Sequence, residues 1–391
     1  MPIINRFADF QPDLVAWRRE FHRFPEILYE VHRTAASVAE RLRSFGVDEV
    51  VTGIGRTGVV GVIRGKETAS NRVIGLRADM DALPITETSG KAYASQTPGK
   101  MHACGHDGHT TMLLGAARYL AETRNFDGTV VAIFQPAEEG GAGGRAMVDD
   151  GLMERFGIEQ VYGLHNMPGM PVGQFGTRPG PIMASTDELT VALSGRGAHA
   201  ARPHIGLDLV VAASAIVQSL QSVVSRSVDP LESAVVSITK IHIGEATNVI
   251  AETGSLGGTV RTLKAEMRDL VEARVKAIVA GVAAAHGISA EVQYRRNYPV
   301  TRNHPAETAF AAGVAERVVG AGNVDHAVAP IMGGEDFSFM LEARPGAFLF
   351  LGQGDTPGLH NPAYDFNDEI MPIGCSYWVK LAETAMPLAV P

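Results

Sequence analysis

The side chains best suited to bind a metal ion are concentrated in a few short segments of the sequence. One segment, residues 102–109, reads HACGHDGH and precedes a predicted helix. The other segments follow predicted strands and contain Asp79 and Asp81, Glu138 and Glu139, His165, and His360. Thiolate, imidazole and carboxylate are the ligands that zinc and neighbouring transition metals take in proteins. The sequence therefore predicts a metal site built from distant parts of the chain.

The number of these donors indicates two ions rather than one closed structural site, and the chain has no paired C-x-x-C elements. Two ions roughly 3.5–4 Å apart activate a water and polarise a carbonyl, while a neighbouring carboxylate takes the proton of the water. Glu138 and Glu139 offer both a base and a ligand. Because adjacent side chains on an extended segment point in opposite directions, this requires the loop to bend. The combination suits hydrolysis of an unactivated bond such as an amide.

Each of these residues also has a structural alternative. A lone histidine such as His165 is more often hydrogen-bonded within the core than bound to a metal. Asp79 and Asp81 can cap the turn after their strand, and Cys104 can be an inert buried thiol. Cys104 can also act as the nucleophile of a metal-independent thiol amidase, with a nearby histidine as its base. The convergence of so many donors at strand ends favours the metal site.

Composition limits the class of protein. The 391 residues are 45% hydrophobic and 20% charged, which is typical of a globular chain of two or three folding units. The net charge is −9 and no dense basic stretch interrupts it, so nucleic acid is excluded as a partner. Apolar residues 209–217 and 277–285 are too short for a membrane span, and the N-terminus lacks the apolar core of a secretory signal. With only two cysteines, the sequence predicts a cytoplasmic protein without a disulfide framework or a membrane partner.

The predicted strands and helices follow one order in the two outer parts of the chain and a different order between them. Strands and helices alternate before residue 184 and after residue 301, which predicts an α/β domain with a mostly parallel sheet covered by helices. Its predicted strands are residues 58–63, 73–78, 129–134, 160–164, 327–332 and 347–351. Its predicted helices are residues 12–45, 110–122, 144–156, 306–319 and 373–384.

Between the two parts of this domain, residues 185–300 follow the order β-α-β-β-α-β, the ferredoxin-like unit. The sequence therefore predicts a catalytic domain made of residues 1–184 and 301–391, interrupted by a smaller inserted domain. Ligands of open α/β sheets bind beyond the carboxyl ends of the strands, which is where the candidate metal ligands lie.

Several motifs resemble those of the dinuclear metal-dependent amidohydrolases and metallopeptidases. The resemblance is greatest to the branch that contains hippurate hydrolases, N-acyl-amino-acid deacylases and auxin-conjugate hydrolases. The matching segments span nearly the whole chain: LRADMDALPI from Leu76, MHACGHDGHTTMLLGAA from Met101, FQPAEEGGAGG from Phe134, GLHNMP from Gly163, GRGAHAARPH from Gly195, MGGEDFSFM from Met332 and GLHNP from Gly358.

The resemblance implies a role for each matching position. The metal ligands it implies are Cys104, His106, Glu139, His165 and His360. It makes Glu138 the general base, and Asp79, with Asp81, a group that orients ligands. It implies two divalent ions per subunit, drawn from Zn, Mn, Co or Ni, and a thiolate favours the softer ions over manganese. His102 and His109 match no ligand and are assigned structural roles.

The resemblance also implies a homodimer or homotetramer, in which the inserted domain is a lid and dimerisation domain. His199 then reaches the active site of the neighbouring subunit and stabilises the developing oxyanion. Asn248, Arg261 and the backbone at Gly334 are implied to contact substrate, with Arg261 binding a free carboxylate. A solvent-facing structural role is the alternative for Arg261.

The leading hypothesis is therefore a metal-dependent hydrolase of small N-acyl amino acids such as hippurate, N-acetyl amino acids or N-acyl diaminopimelate. A dipeptidase or aminopeptidase of the same fold is the first alternative, separable by its tolerance of a free α-amine. The thiol amidase is the second alternative, separable by chelation. A non-catalytic binding protein of this fold is the third.

Overall fold

The structure is a computed structural model that describes residues 3–389. Its helices are α1 (Arg6–Arg23), α2 (His32–Ser44), α3 (His106–Thr123), α4 (Gly143–Asp149), α5 (Leu152–Arg155), α6 (Leu209–Ser222), α7 (Ala265–Ala285), α8 (Pro305–Val319), α9 (Ser338–Ala343) and α10 (Met371–Ala385). Its strands are β1 (Glu49–Ile54), β2 (Gly58–Arg64), β3 (Val73–Asp79), β4 (Thr129–Gln135), β5 (Gln160–Pro168), β6 (Phe175–Gly176), β7 (Gly180–Met183), β8 (Ser185–Ser194), β9 (Ala198–His199), β10 (Ala234–Ile243), β11 (Val249–Ile250), β12 (Thr253–Thr262), β13 (Ser289–Arg296), β14 (Thr301–Asn303), β15 (Val324–Asp325) and β16 (Gly346–Gly354).

The chain divides into two units. The smaller unit comprises Met183–Thr301 and Pro330–Glu335, and the larger unit comprises the described residues on either side of them. The short segment of residues 330–335 belongs to the smaller unit although it lies far along the chain from the rest of that unit.

An eight-stranded sheet in the order β1-β2-β4-β3-β5-β16-β6-β15 organises the larger unit. The four neighbouring strands β4, β3, β5 and β16 are parallel, whereas β1 and β2 add an antiparallel edge. The parallel strands are buried along almost their whole length, as expected for a sheet with helices on its faces. The predicted α/β fold with a mostly parallel sheet is confirmed.

Helix α3 is the most deeply buried helix near the site, and it lies directly after the HACGHDGH segment. Every residue from His106 to Ala117 is buried, and the helix packs against α1, α10 and β3. A helix that is buried all round is fixed by packing on every face, so its first residue has a defined position.

The smaller unit contains one antiparallel sheet in the order β10-β12-β8-β13. Strand β8 alternates strictly between buried and partly or fully exposed residues, so one face of the sheet is buried. Helices α6 and α7 contribute a core of apolar residues with that face. The order β8-α6-β10-β12-α7-β13 confirms the predicted ferredoxin-like topology.

Several element predictions differ from the structure. The predicted helix over residues 144–156 is two helices, α4 and α5, because Gly151 between them is left-handed at φ 81°. The predicted helix over residues 12–45 is two helices, because the connection contains Pro25 and a left-handed residue, Leu28, at φ 51°. Strand β1 was not predicted. The structure has no strand over residues 327–332, where Pro330 lacks the N–H that a ladder needs and a single bridge joins Met183 and Ile331.

Helix α6 continues through a π-helical turn to Ser227, which makes it longer than the apolar stretch seen in the sequence. Residues Leu209–Ser227 have the length and hydropathy of a membrane span, and one third of them are buried inside the protein. The inner face of the helix, including Leu209, Ile216 and Leu220, belongs to the core of the smaller unit. This packing accounts for the apolar composition of the inner face.

A buried ion-pair network joins α1 to the start of α3. His22 lies 2.9 Å through Nδ1 from Asp107 and 3.3 Å through Nε2 from Glu87, and Arg18 forms ion pairs with Asp107 and with Asp368. Burial opposes a charge on His22, but the hydrogen bonds to Asp107 and Glu87 raise its pKa to about 9. The imidazolium is therefore part of the folded structure at neutral pH.

We predict that His22 stabilises the larger unit most strongly at acidic and neutral pH. Because the pKa is raised from 6.5 in the unfolded chain to about 9, the stabilisation is complete below pH 6.5 and is lost as the pH rises through 9. A shift of this size corresponds to on the order of 3 kcal/mol. Urea unfolding of wild type and His22→Gln, followed by tryptophan fluorescence, should show a difference in free energy that shrinks between pH 6.5 and pH 9.

Both tryptophans, Trp17 and Trp378, lie in the larger unit, so the fluorescence reports on that unit. His32→Gln is the matched control, because His32 is exposed at the start of α2. A difference between wild type and His22→Gln that stays constant over this pH range would contradict the ion-pair interpretation.

Candidate functional site

The carboxyl ends of the parallel strands bring the predicted metal-binding segments together. Strand β3 ends at Asp79, the Glu138-Glu139 loop follows β4, and β5 contains His165. The loop after β16 contains His360, and Cys104 lies just before α3. Since these four strands are neighbours in one parallel sheet, their ends meet at the same edge.

Two groups of candidate ligands share Cys104. Ligand atoms of Cys104, His106 and His165 all lie within 4.8 Å of one another, and so do those of Cys104, Glu139 and His360. The first group is fully buried, whereas the side chain of His360 is 54% exposed. The structure thus brings all five predicted ligands to one place, with the thiol of Cys104 common to both groups.

Hydrogen bonds to backbone carbonyls fix the two buried histidines of the site. The Nδ1 of His106 donates to the carbonyl of Asp81 at 2.7 Å, and the Nδ1 of His165 donates to the carbonyl of Asn166 at 2.7 Å. Each Nε2 is then left with its lone pair directed into the site, which is the tautomer that a metal ligand needs. The Nε2 of His165 lies 3.4 Å from the Sγ of Cys104.

The segment between Cys104 and His106 depends on glycine. Gly105 has φ 97°, and a Cβ there would lie 2.2 Å from the Oδ1 of Asn166. Both the left-handed backbone and the close approach exclude other residues. Gly105 therefore places the thiol of Cys104 and the imidazole of His106 beside the end of β5.

The Glu138-Glu139 loop bends, as its two predicted roles require. Ala137 has φ 54° and Gly140 has φ 91°, so the doublet lies between two left-handed residues. The carboxylate of Asp81 accepts the backbone N–H of Glu138 at 2.9 Å and that of Glu139 at 3.1 Å. Asp81 thus holds the loop through its side chain and His106 through its carbonyl.

His360 is held at the site by an unusual backbone conformation. Its φ is 62°, and its N–H donates to the carbonyl of Ala103 at 2.7 Å. Its Nε2 lies 3.4 Å from the Oε1 of Glu139. A non-glycine residue in this conformation is costly unless its surroundings impose it, and such residues cluster at functional sites.

The electrostatics of the site are dominated by buried acidic groups. Burial raises the pKa of the Cys104 thiol well above its ordinary value, and the nearby carboxylates of Glu139, Glu138 and Asp79 raise it further. Burial opposes a charge on His106, but the carboxylates of Asp79, Asp81 and Glu139 raise its pKa to about 10. The carboxylates around His106 therefore favour a cation at this position, either a proton or a metal ion on its Nε2.

Asp79 is engaged by protein groups on both carboxylate oxygens. Its Oδ2 accepts from Arg77 at 2.7 Å, and its Oδ1 lies 2.7 Å from the Nδ1 of His109. Burial opposes its ionisation, but His106, Arg77 and His109 hold its pKa well below the ordinary value. Asp79 lies beside the ligands, at 3.7 Å from the Nε2 of His106.

The two histidines that were assigned structural roles differ. Both ring nitrogens of His109 are engaged, by Asp79 and by Asn166. His102 is buried, and neither of its ring nitrogens has a hydrogen-bond partner among residues 3–389. Burial lowers the pKa of His102 to about 3, with Asp107 opposing this effect. His102 is therefore neutral.

The remaining predicted site residues belong to the smaller unit. His199 on β9 is exposed and pairs with Val249 on β11, and the N–H of Ala200 donates to the carbonyl of Asn248 at 2.9 Å. His199 and Asn248 are therefore neighbours. Arg261 on β12 is half-buried, and burial lowers its pKa.

Gly334 has a steric role within the smaller unit. A Cβ on Gly334 would lie 2.1 Å from the Cγ2 of Thr186. This close approach requires glycine. The resemblance implied a different reason for glycine here, namely contact between its backbone and substrate.

Sequence analysis missed the residues that support the ligands from behind. The amide of Asn166 donates to Gln353 at 2.8 Å and to Tyr364 at 2.7 Å. Arg77 donates through Nη2 to Asp336 at 3.1 Å as well as to Asp79. A signal was present for Arg77, a charged residue inside an otherwise apolar strand, but its partners lie far along the chain.

The donor set fits divalent metal ions. The Nε2 of His106 and the Oε1 of Glu139 are buried without a hydrogen-bond partner among the described residues, although buried polar atoms are normally paired. The two atoms lie 3.9 Å from each other, and each belongs to one of the two ligand groups that share Cys104. The Oε1 of Glu139 also faces the Nε2 of His360 at 3.4 Å, but no hydrogen bond joins them. Buried nitrogen and oxygen atoms that lack hydrogen bonds beside a thiol are the chemistry that a zinc-like ion satisfies.

Comparison with known proteins identifies the family of the chain. A model described as peptidase family M20/M25/M40 matches residues 75–384. The chain is 42% identical over 382 residues to a hippurate hydrolase from Campylobacter jejuni, covering 98% of this chain and 99% of that protein. It is 40% identical over 373 residues to an N-acetyl-L-cysteine deacetylase from Bacillus subtilis, covering 95% and 88%.

Among solved structures, a dinuclear metal-binding peptidase of the M20 family from Bacillus subtilis superposes with a TM-score of 0.84 at 34% identity, covering 97% of this chain and 99% of that one. The family resemblance that the motifs predicted is confirmed. The chain belongs to peptidase family M20/M25/M40.

Proposed function

We propose that the protein is a metal-dependent amidohydrolase that cleaves N-acyl amino acids into a carboxylic acid and a free amino acid. The observation that carries this proposal is the pair of ligand groups sharing Cys104 beside the carboxyl group of Glu138. The names of the relatives support it, since a hippurate hydrolase and an N-acetyl-L-cysteine deacetylase both act on the amide bond of an acylated amino acid.

The five candidate ligands divide between two ions. Cys104, His106 and His165 would hold one ion, and Cys104, Glu139 and His360 would hold the other. Thiolate and imidazole ligands favour zinc, cobalt or nickel over manganese. Two divalent ions at this position would supply a Lewis acid for the amide carbonyl and would lower the pKa of the attacking water.

Glu138 is placed to move the proton during hydrolysis. It is buried, and a carboxylate oxygen of Glu138 lies within 4.8 Å of ligand atoms of His106 and Glu139. Its backbone N–H donates to the carboxylate of Asp81, which fixes the position from which the side chain extends. Glu138 takes the proton of the attacking water and delivers it to the leaving amide nitrogen.

The thiol amidase is the weaker of the two enzymatic alternatives. A thiol amidase needs a thiolate at neutral pH, yet burial and neighbouring carboxylates raise the pKa of Cys104 instead of lowering it. A peptidase of the same fold needs a carboxylate or other anion to bind a free α-amine. A panel of acylated amino acids and dipeptides separates this case from the leading proposal.

We propose a homodimer formed through the smaller unit. Strand β10 is an edge of its sheet, and Ile241 on this strand is 54% exposed. Val210 and Val211 on α6 are also exposed. An open edge beside exposed apolar residues is an association surface, and a second copy related by a two-fold axis would cover both. In such a dimer, His199 is proposed to act at the active site of the neighbouring subunit.

We also propose a cytoplasmic location. Cys104 and Cys375 are both free and buried, and a ligand thiol needs reducing conditions to stay free.

Glu138→Gln should retain both metal ions but lower kcat about 10²–10⁴-fold, because the amide cannot accept a proton. The assay uses N-benzoyl, N-acetyl, indole-acetyl and succinyl amino acids together with matched dipeptides. Glu139→Gln is the contrasting variant and should lose metal as well as turnover. A near-normal kcat for Glu138→Gln would remove Glu138 from the mechanism, and cleavage that survives complete chelation would refute metal dependence.

Cys104→Ser should weaken both metal ions, because both ligand groups lose their shared sulfur. We expect metal affinity to fall by more than about 10–100-fold, which is the contribution of residues that only support a ligand. Metal content is measured by atomic emission after dialysis against a buffered free-zinc series. Cys375→Ser is the matched control, since Cys375 is buried in α10 and belongs to neither ligand group. An unchanged metal-to-protein ratio in Cys104→Ser would contradict the ligand assignment.

Complementation tests the proposed action of His199 across the dimer. His199→Ala and Glu138→Gln are each expected to be nearly inactive. Heterodimers carrying one of each, purified through two different tags, contain one intact site of two and should recover about half of the wild-type rate. If both parents are inactive and the purified heterodimers are as inactive as either of them, His199 acts within its own subunit.

A further inference from the structure

We infer that His109 and Asn166 form a hydrogen-bonded relay that positions the metal ligand His165. The inference rests on the proposed function, because it assigns His165 to a metal ion. Neither His109 nor Asn166 is a candidate ligand, and both act through their neighbour. They are positioning residues.

The relay begins at the end of β3 and runs through His109 to the end of β5. The Nδ1 of His109 lies 2.7 Å from the Oδ1 of Asp79, whose other oxygen accepts from Arg77 at 2.7 Å. The Nε2 of His109 lies 3.0 Å from the backbone nitrogen of Asn166 and 2.8 Å from its side-chain oxygen. In the neutral ring it accepts from the backbone N–H, and in the protonated ring it donates to the side-chain oxygen. All of these groups are buried. A carboxylate on one side and a peptide on the other leave His109 no free nitrogen for a metal.

The relay reaches His165 through the peptide of Asn166. The carbonyl of Asn166 accepts from the Nδ1 of His165 at 2.7 Å, so the orientation of Asn166 decides where the opposite nitrogen of His165 points. The ring centroids of His109 and His165 are 4.5 Å apart, which also limits the tilt of the ligand ring. A rotation of Asn166 would therefore turn the Nε2 of His165 away from the Sγ of Cys104.

The far side of Asn166 is fixed as well. Its amide nitrogen donates to Gln353 on β16 at 2.8 Å and to the hydroxyl of Tyr364 at 2.7 Å. Gly105 provides the space for this arrangement, since a Cβ there would lie 2.2 Å from the Oδ1 of Asn166. Asn166 is thus held from α3, β16 and the Tyr364 loop at once.

The relay serves one of the two ligand groups. His165 belongs to the group with Cys104 and His106, whereas the group with Glu139 and His360 does not include it. Removing the relay should therefore weaken one ion and leave the other. Supporting residues of this kind contribute about 10–100-fold to metal affinity.

The test is a double-mutant cycle read out as zinc affinity, with a chromophoric chelator competing for the ions. His109→Ala and Asn166→Ala should each weaken one of the two binding steps about 10–100-fold. The double variant should bind zinc no more weakly than the single variant that has the lower zinc affinity, because the two residues act as one unit. Cobalt-substituted protein should show an altered thiolate absorption band in the same variants.

Partial rescue distinguishes positioning from general destabilisation. His109→Gln can keep an acceptor for the N–H of Asn166, whereas His109→Asn keeps only the contact with Asp79, so glutamine should restore more affinity than asparagine. Asn303→Ala is the matched control, because Asn303 is also buried in the larger unit and its amide donates to Thr177 and Phe348. It should lower thermal stability without changing either binding step.

The possible outcomes distinguish failure of the relay from failure of the proposed function. If wild type binds no zinc at all, the proposed function fails and the relay with it. If wild type binds two ions and the relay variants bind both with unchanged affinity, the relay is refuted while the proposed function stands. Strictly additive losses in the double variant would also refute it.

Discussion

Negative charge is concentrated at one edge of the large sheet, and the rest of the site follows from the need to neutralise it. Asp79, Asp81, Glu138, Glu139 and the thiol of Cys104 are all largely removed from water. Arg77 neutralises Asp79, but the others face His106, His165 and each other. Burying several acidic groups together is costly, and bound cations would offset that cost. Bound metal ions would then couple the stability of the fold to metal concentration.

The sheet and α3 provide the rigidity that a two-ion site needs. Four adjacent parallel strands deliver ligands to one edge, and α3, buried on every face, fixes the segment that contains Cys104 and His106. The loops between them are held by hydrogen bonds from their backbone N–H groups. Those of Glu138 and Glu139 donate to the carboxylate of Asp81, and that of His360 donates to the carbonyl of Ala103. The candidate ligands thus come from four separate segments, of which the one before α3 contributes both Cys104 and His106.

Sequence reasoning predicted the fold class and gathered the candidate ligands because both depend on local patterns. Strand alternation and the donors Cys104, His106 and Glu139 are visible in short windows of sequence. The relay of His109 and Asn166 was not predictable, because its partners Gln353 and Tyr364 lie almost 200 residues away in the chain. The failed strand at residues 327–332 illustrates the opposite error, since an apolar run satisfied the pattern while Pro330 removed a ladder hydrogen bond.

The most direct test of the central claim is anomalous diffraction at the zinc edge from crystals of the reconstituted protein. The account predicts two peaks per chain, roughly 3.5–4 Å apart. Both peaks should lie within about 2.3 Å of the Sγ of Cys104, as a bridging thiolate requires. A single peak, or two peaks of which neither contacts Cys104, would contradict it.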